Sequence, residues 1–490
     1  MTHPIRRKPA RRRSAEFAPP SDRGSWRLLR GRNLPGHTLL VLFFFCLLGA
    51  WPLSGAQGAA KPESPGGEAR RRPNIVFILS DDHRWDFLSA AGHPFVQTPA
   101  LDRLAREGVM FSNAFVTTSL CSPSRASFLT GQYAHTHGVR NNLTTWKDEN
   151  VTFLELLKTA GYETAFIGKW HMPGRLPNLR GVDEFVTFTI QAGQGRYWNC
   201  PLIVDGVERP SRKPYITEEL TDLALEFIEK PRDGPFCLYL SHKAAHHEFS
   251  PPPDLAHLYD DWKAPLPREA DPWVTGTRGA LWAGTMGHLE SLYKNYARVI
   301  VALDREIGRL LQRLDDLGLA RNTIVIYAGD NGYFWGEHRL VDKRWAYEES
   351  IRIPFIVRHP GFAASAGRRA EQMVLNIDLA PSILEMAGVA VPPNMEGKSF
   401  LPVLESGRAR GRKAWLYEYF REFPYNVPEI RAVRTERHIY IEYEGRRKPE
   451  LYDIEEDPRQ KTNLLGTPEG EKLLPELKEM LEALKRGETL

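Results

Sequence analysis

Short apolar runs typical of buried strands recur along the chain and alternate with segments that have helical spacing. The runs cover residues 74–79, 163–167, 235–240 and 323–327. One helix is predicted to open at Thr98-Pro99 and to stop at Gly108, and another spans residues 292–317. Because strands alternate with helices, we predict an α/β fold with a mostly parallel central sheet flanked by helices on both faces.

The C-terminal part of the chain has a different pattern. Ile439, Ile441 and Tyr443 lie on one face of an extended segment, as in an antiparallel strand. A helix opened by Pro475 is predicted to run to about Lys485. Its residues predicted to pack on the sheet are Leu477, Met480, Leu481 and Leu484. We therefore expect a main domain at 73–405 and a small C-terminal α+β subdomain, an antiparallel sheet plus helix, at 406–490.

Acidic and amide side chains follow two of the predicted strands. Asp81 and Asp82 come after the first run, and Asp330 and Asn331 come after the fourth. Ligands of open α/β sheets bind beyond the carboxyl ends of the strands, so both pairs are expected to meet in one crevice. Three carboxylates and an amide favour Ca²⁺ or Mg²⁺. For each pair alone, a helix cap or a solvated turn is the competing interpretation.

One cysteine lies beside a predicted helix start. Ser122 suits the N-cap, Pro123 suits the first helical position and Gly131 suits the C-terminal stop, so a short helix should begin directly after Cys121. Arg125 lies one turn further along the same face, so the cysteine, the guanidinium and the free N–H groups can converge on one anion. A buried structural cysteine is the competing interpretation.

The segment at residues 121–125 (Cys-Ser-Pro-Ser-Arg), continuing through 129–133 (Leu-Thr-Gly-Gln-Tyr), resembles the signature of type I sulfatases, which have an alkaline phosphatase-like fold. The similarity spans residues 73 to about 465. It implies that Cys121 is modified to formylglycine, whose hydrate is the nucleophile. It also implies one divalent cation, usually Ca²⁺, with Mg²⁺ as the alternative. The ligands implied for that cation are Asp81, Asp82, Asp330, Asn331 and modified Cys121.

The same resemblance implies roles for further cationic and imidazole side chains. Lys169 and Lys343 would contact the substrate sulfate, and Arg125 would be catalytic with them. His171 would hydrogen-bond the aldehyde hydrate, and His246, rather than its neighbours, would protonate the leaving group. His338 is expected to bind substrate. A single Lys or His is more often a surface charge or a satisfied polar residue, so the order and spacing carry this prediction.

Similarity around residues 243–246 and 342–350 is greatest to bacterial carbohydrate sulfatases and N-acetylglucosamine-6-sulfatases. We therefore expect a sulfatase acting on a sulfated glycan or glycosaminoglycan fragment. A formylglycine-generating enzyme or an anaerobic sulfatase-maturing enzyme is the implied partner. The alternatives are a phosphomonoester or phosphonate hydrolase of the same superfamily, and a non-catalytic protein that binds sulfated glycans if Cys121 is not converted.

The N-terminal region is basic and then apolar. The formal net charge is +4, and much of the excess lies near the N-terminus, so no nucleic-acid partner is predicted. The apolar run at residues 38–48 is shorter than the roughly 20 residues of a spanning helix. We expect a basic tail and signal peptide at 1–60, a linker at 61–72 and export to the periplasm, the lysosome or the outside. An uncleaved signal anchor, and with it a membrane association, is the alternative.

Two further expectations concern cysteines and tryptophans. With Cys46 in the targeting segment, Cys200 and Cys237 are left as one candidate disulfide. Residues 250–287 are rich in proline and tryptophan. We predict a loop at the edge of the active site in which one of these tryptophans stacks on a sugar. The tryptophans in question are Trp262, Trp273 and Trp282. Ordinary packing of these indoles is the alternative.

Overall fold

The computed structural model describes residues 72–173, 179–189, 193–267, 289–407, 409 and 411–490. Strands and helices alternate over most of this range. The strands are β1 (Asn74–Ser80), β2 (Val109–Phe111), β3 (Ala114–Phe115), β4 (Glu163–Gly168), β5 (Glu184–Phe188), β6 (Leu202–Val204), β7 (Val207–Arg209), β8 (Phe236–Ser241), β9 (Thr323–Gly329), β10 (Phe334–Trp335), β11 (Val341–Asp342), β12 (Phe355–Arg358), β13 (Arg368–Ala370), β14 (Val374–Leu375), β15 (Ala414–Tyr419), β16 (Ile430–Thr435), β17 (His438–Tyr443) and β18 (Glu450–Asp453).

The helices are α1 (Pro99–Glu107), α2 (Cys121–Thr130), α3 (Ala134–His137), α4 (Phe153–Thr159), α5 (Ile216–Glu229), α6 (Leu289–Asp316), α7 (Glu348–Ile351), α8 (Leu379–Met386), α9 (Leu401–Ser406) and α10 (Pro468–Lys485). Both helices that the apolar spacing predicts in the main part of the chain are present, as α1 and α6. Helix α1 opens on Pro99, whose missing N–H costs nothing at a helix start, and it ends before Gly108.

The central sheet has ten strands in the order β13-β2-β12-β9-β1-β8-β4-β5-β6-β7. The middle of the sheet, from β9 through β1, β8 and β4 to β5, is parallel. Strands β12, β6 and β7 pair antiparallel to their neighbours. The predicted α/β fold with a mostly parallel central sheet is confirmed, and the carboxyl ends of β9, β1, β8 and β4 lie side by side.

Each face of the central sheet is covered by its own hydrophobic core. On β1, Val76 and Ile78 belong to the core that includes apolar residues of α1, α5 and α6. Phe77 and Leu79 belong to the core that includes residues of α2, α4 and α8. Burying one such side chain contributes about 1.5–3 kcal/mol, so the apolar runs are held from both sides and their ends are fixed in position.

A separate four-stranded antiparallel sheet, β15-β16-β17-β18, follows in the C-terminal part. Ile439 and Ile441 face one core, as predicted, while Tyr440 faces α10 on the other side. The predicted start of α10 is wrong: the helix begins at Pro468, after Thr467 accepts a hydrogen bond from the N–H of Gly470. It continues through Pro475, and the apolar residues predicted to pack on the sheet do so.

Two further predictions need correction. Helix α2 begins at Cys121 itself, because Leu120 is the extended N-cap residue, so Ser122 does not cap the helix and Pro123 is its third residue. Its end at Gly131, with φ of 68°, is as predicted. The candidate disulfide between Cys200 and Cys237 is absent from the described part of the chain. Both residues are free thiols buried in different cores, on opposite faces of the central sheet.

Several predictions fall outside the described residues. These are the signal segment at 1–60, nearly all of the linker at 61–72, and Trp273 and Trp282. Trp262 is described: its side chain is 49% exposed, and its ring lies 5.5 Å from that of Phe95. Within the described ranges, a search for a helix of sufficient length and apolarity to cross a bilayer found none.

Candidate active site

Four oxygen-bearing side chains meet where two neighbouring parallel strands end. Asp81 and Asp82 follow β1, and Asp330 and Asn331 follow β9. The N–H of Asp330 donates to the carbonyl of Ser80 at 2.9 Å, and the N–H of Asp82 donates to Asp330 Oδ1 at 2.8 Å. All four side chains are fully buried. Their polar atoms therefore depend on partners inside the site.

Two of these buried oxygens, Asp82 Oδ2 and Asn331 Oδ1, have no hydrogen-bond donor among the described residues. Asn331 Nδ2 donates to Asp82 Oδ1 at 2.7 Å, which leaves the amide oxygen as an acceptor. Candidate ligand atoms of Asp81, Asp82, Cys121 and His246 lie within 4.8 Å of one another. Since a buried acceptor without a donor is costly, these oxygens fit a hard divalent cation.

Helix α2 carries Cys121 to the centre of this group. The sulfur lies 3.7 Å from Asp81 Oδ1 and 3.3 Å from Lys343 Nζ, and the residue is 1% exposed. Burial raises the pKa of the Cys121 thiol to about 12, although Lys169 and Lys343 oppose the shift. A thiol in this environment stays protonated at neutral pH and is a poor nucleophile. The surroundings of Cys121 therefore do not support a catalytic role for its thiolate form.

Arg125 forms a buried ion pair with Asp330. Its Nε and Nη2 atoms lie 2.9 and 2.8 Å from Asp330 Oδ2, and its Nη1 donates to Ser241 Oγ at 2.6 Å. Nη2 is 3.7 Å from Asp81 Oδ1. Burial, followed by the charge of Asp81, raises the pKa of Asp330 to about 7, although Arg125 lowers it. The guanidinium thus fixes the carboxylate on β9 and adds positive charge beneath the site.

Two buried lysines bring positive charge from different segments. Lys169, directly after β4, forms an ion pair with Asp81, and Lys343, directly after β11, forms one with Asp82. Burial opposes ionisation of Asp81, but the charges of Lys169, Arg125 and Lys343 outweigh it, and the pKa of Asp81 is lowered. For Asp82, burial prevails over Lys343, and its pKa is raised. The cations thus stand close to the candidate metal ligands.

Two of the predicted histidines face the same space. His171 adopts a left-handed φ of 53° just beyond Lys169. His246 Nε2 lies 3.8 Å from Asp82 Oδ2, and Tyr197 donates its hydroxyl to the His246 carbonyl at 2.8 Å. Burial lowers the pKa of both imidazoles well below the usual value, with nearby positive charge adding to the effect. The surroundings of both rings therefore favour the neutral imidazole.

Above this group lies a pocket of about 150 Å³, which we call the active-site pocket. Its lining residues are Asn142, His171, Gln194, His246, His247, Asp342, Lys343, Arg344 and Tyr425. No active-site role was predicted for Asn142, Gln194, Arg344 or Tyr425. Arg344 lies in the segment at 342–350 whose similarity indicated a carbohydrate substrate, whereas Gln194 and Tyr425 had no such signal. Asn142 Oδ1 accepts the N–H of Ser122 at 3.0 Å.

His338 is the predicted site residue that lies apart. It is not among the described residues that line the active-site pocket. Its ring stacks on Tyr347 at 4.0 Å, and its Nε2 is 3.8 Å from Glu349 Oε2. The backbone of this turn is left-handed at His338 and Arg339, with φ of 55° and 56°. The other predicted site residues are brought together.

The mostly parallel sheet, with carboxylates and a helix-borne cysteine at its carboxyl edge, has the alkaline phosphatase-like fold that sulfatases share. The family model described as Sulfatase matches residues 73–389, and the model described as N-sulphoglucosamine sulphohydrolase, C-terminal, matches residues 336–487. The chain therefore belongs to the sulfatase family and is a sulfuric ester hydrolase, as its sequence resemblance predicted.

Individual relatives agree with this assignment. The N-acetylglucosamine-6-O-sulfatase of Bacteroides thetaiotaomicron is 33% identical over 504 residues, covering 88% of this chain and 89% of the relative. The N-acetylglucosamine-6-sulfatase of Homo sapiens is 30% identical and covers 72% of this chain and 67% of the relative. A solved structure of a protein in complex with its substrate D-glucosamine-2-N,6-O-disulfate is 30% identical, with a TM-score of 0.79 over 85% of this chain and 98% of that one.

Proposed function

We propose that this sulfatase hydrolyses a sulfate ester of a sulfated glycan or glycosaminoglycan fragment, with a 6-sulfated N-acetylglucosamine unit as the first substrate to test. The observation that supports this most is the position of Cys121, whose sulfur lies 3.7 Å from Asp81 Oδ1 and 3.3 Å from the ammonium group of Lys343, a residue that lines the active-site pocket. Two relatives that are named for this sugar align with this chain over 89% and 67% of their own length.

The proposed metal ligands are Asp81, Asp82, Asp330 and Asn331, with the modified side chain at position 121. Their unpaired oxygens and their all-oxygen chemistry fit Ca²⁺, with Mg²⁺ as the alternative. When bound, such a cation supplies Lewis-acid polarisation of a sulfate oxygen. The four residues come from the ends of β1 and β9, which the surrounding core holds rigidly, so the ligand set is preorganised.

Sulfate binding is assigned to the buried cations. Lys169 and Lys343 have their ammonium groups on either side of the cysteine position, each against a carboxylate. In a buried site such charges act strongly, because little water screens them. They hold the sulfate and stabilise the negative charge that develops on its oxygens during transfer. Arg125 acts with them by fixing Asp330 and contributing charge from below.

The nucleophile is assigned to position 121 after conversion of Cys121 to formylglycine by a formylglycine-generating or anaerobic sulfatase-maturing enzyme. The hydrated aldehyde supplies an oxygen nucleophile that a thiol does not offer, and its second hydroxyl allows sulfate to be released. Burial keeps the unmodified thiol protonated, since it raises its pKa to about 12. The protein around this residue therefore gives no support to catalysis by a thiolate.

Proton transfer is assigned to two histidines in the active-site pocket. His246 donates a proton to the leaving alcohol oxygen, and His171 hydrogen-bonds the residue at position 121 and removes its proton when sulfate departs. Burial lowers the pKa of His246, and nearby cations lower it further. A bound sulfate ester adds negative charge beside the ring, which raises the pKa of His246 and favours its protonated form.

We also propose export of the protein by its N-terminal segment, and a division of the folded part into residues 73–405 and 406–490. The charge and apolar pattern of residues 1–60 supports the first proposal. The change from a parallel to an antiparallel sheet supports the second. The two sulfatase-type models overlap at residues 336–389, so neither of them fixes that boundary.

The test uses the full chain, co-expressed with a maturing enzyme, on 6-sulfated N-acetylglucosamine, an aryl sulfate and the matching aryl phosphate. We expect release of sulfate from the sugar, and a kcat/KM for aryl sulfate that exceeds the value for aryl phosphate. A preference for phosphate would favour a phosphomonoester hydrolase. Binding of the sugar without turnover by protein whose Cys121 remains a thiol in its host would favour a non-catalytic binding protein.

A further inference from the structure

Two large apolar side chains are exposed to solvent in the segments that contribute Asn142 and Tyr425 to the active-site pocket. Phe423 is 82% exposed and Leu143 is 63% exposed. Leu143 follows Asn142, and Phe423 lies two residues before Tyr425. Asn142 and Tyr425 both line the active-site pocket. Each exposed side chain therefore belongs to a segment that also contributes a residue to the lining of the pocket.

The segments that carry these side chains are joined to each other. The N–H of Asn142 donates to Glu422 Oε2 at 2.6 Å, and Asn141 Nδ2 donates to the carbonyl of Arg421 at 3.0 Å. Glu422 also accepts a hydrogen bond from Arg344 at 3.1 Å. Residues 140–144 and 420–425 thus form one connected edge of the pocket, which we call the rim.

The rim carries positive charge beside its apolar residues. The guanidinium of Arg140 lies 5.0 Å from the ring centre of Phe420, and that of Arg431 lies 4.4 Å from the same ring. Arg431 donates to the carbonyl oxygens of Tyr419 and Ile430 at 3.3 and 2.9 Å rather than to a carboxylate. Arg140 thus adds positive charge to the rim, and Arg431, on the neighbouring strand β16, adds positive charge beside the same aromatic ring.

The size of the active-site pocket limits what it can enclose. Pockets that enclose a drug-sized ligand measure about 300–1,000 Å³, whereas this pocket measures about 150 Å³. It can therefore take the sulfate group and part of the sugar that bears it. The next sugar of a longer chain must lie outside, on the rim.

We propose that the rim is a subsite for the second sugar residue of a sulfated glycan chain, which makes an oligosaccharide a better substrate than a single sulfated sugar. Phe423 and Leu143 contact the C–H face of that sugar, because aromatic and apolar side chains bury such faces. Arg140 and Arg431 attract its sulfate or carboxylate group. This inference rests on the proposed function, since it extends the same site.

The test compares a 6-sulfated N-acetylglucosamine monosaccharide with a sulfated tetrasaccharide that presents the same sulfated unit. Wild type is compared with Phe423→Ala, Leu143→Ala and the double variant. Val207→Ala serves as the matched control, because Val207 is 69% exposed but lies on β7 at the far edge of the central sheet. Melting temperatures verify that each variant folds.

We expect the double variant to raise KM for the tetrasaccharide about tenfold, which corresponds to about 1.4 kcal/mol. Its KM for the monosaccharide should change less than about twofold, and the control should match wild type on both substrates. Equal changes of KM on the two substrates, or none on either, would overturn the proposal. So would a dimer in solution that dissociates on Phe423→Ala, because the rim would then be a contact between copies of the chain.

Failure of the proposed function would be recognised separately. If wild type hydrolyses neither sugar, the same comparison is made with dissociation constants measured by calorimetry. A selective loss of tetrasaccharide binding in the double variant would support the rim subsite even then, and an unchanged dissociation constant would reject it. Turnover of the monosaccharide by wild type tests the proposed function without involving the rim.

Discussion

At the scale of single residues, the site is organised by charges that are buried in opposite-sign pairs. Lys169 contacts Asp81 and Lys343 contacts Asp82, although both carboxylates are also proposed metal ligands. Breaking a buried pair by removing one partner leaves an uncompensated charge, which is strongly unfavourable. Each lysine can therefore leave its carboxylate and bind a sulfate oxygen only if another positive charge neutralises that carboxylate. A bound metal ion would supply that charge.

This arrangement predicts the effect of removing one cation. Lys169→Ala should lower kcat/KM on the sulfated sugar about 100- to 1,000-fold, the usual loss for a preorganised charge at a reacting group. The control is Lys158→Ala on α4, whose side chain is 46% exposed and pairs with Asp183. Steady-state kinetics provide the measurement. A Lys169 variant with wild-type kcat/KM would contradict the assignment of this lysine to the sulfate.

At the scale of elements, one helix is capped by a side chain from another. Asp304 on α6 accepts the N–H groups of Ala100 and Leu101, at 3.0 and 2.8 Å, at the start of α1. Burial raises the pKa of Asp304 to about 7, and the charge of Asp102 adds to the shift, although the two hydrogen bonds lower it. The contact between α1 and α6 thus contains a group that titrates near neutral pH.

The sign of the pH effect follows from proton linkage. The pKa of Asp304 is higher in the folded protein than the value of about 3.9 for an unfolded chain. Its stabilising contribution is therefore full below about pH 4 and is lost as the pH rises through about 7. We expect the melting temperature to fall from pH 5 to 7.5, and to fall less in Asp304→Asn. Parallel curves of melting temperature against pH for wild type and Asp304→Asn would contradict this prediction. Asp315→Asn, on the same helix, is the control.

The elements also show what the sequence could and could not reveal. The strands before Asp81 and Asp330 were predictable, because an apolar run ending in acidic residues has few interpretations in an α/β protein. The start of α2 was not, because the extended backbone at Leu120 determines it. Gln194 and Tyr425 were missed because they come from segments without regular spacing, and their place depends on tertiary packing alone.

At the scale of the whole molecule, residues on both sides of the proposed boundary at 405/406 build the active-site pocket. Tyr425, which follows β15, lines the pocket, and Glu422 forms an ion pair with Arg344. The sheet that carries them is buried on both faces, by a core shared with the main part of the chain and by α10. The C-terminal sheet therefore completes the pocket as well as stabilising the chain.

Ligand binding to such a site should stabilise the whole protein. A cation at 100 times its dissociation constant adds about 2.7 kcal/mol to the free energy of unfolding. Added Ca²⁺ should therefore raise the melting temperature of chelator-treated protein, and Asp82→Ala should abolish the increase. Asp254→Ala, at a side chain that is 59% exposed, is the control. An equal increase in the Asp82 variant would place the cation elsewhere.

The most direct test of this account concerns position 121. Mass spectrometry of the peptide that contains residues 120–125, isolated from the native host and treated with an aldehyde-trapping reagent, reports the chemical state of that side chain. We expect the mass of formylglycine and a trapped adduct, both absent from Cys121→Ala. A peptide that carries an unmodified cysteine in protein that fully hydrolyses sulfate esters would contradict this expectation.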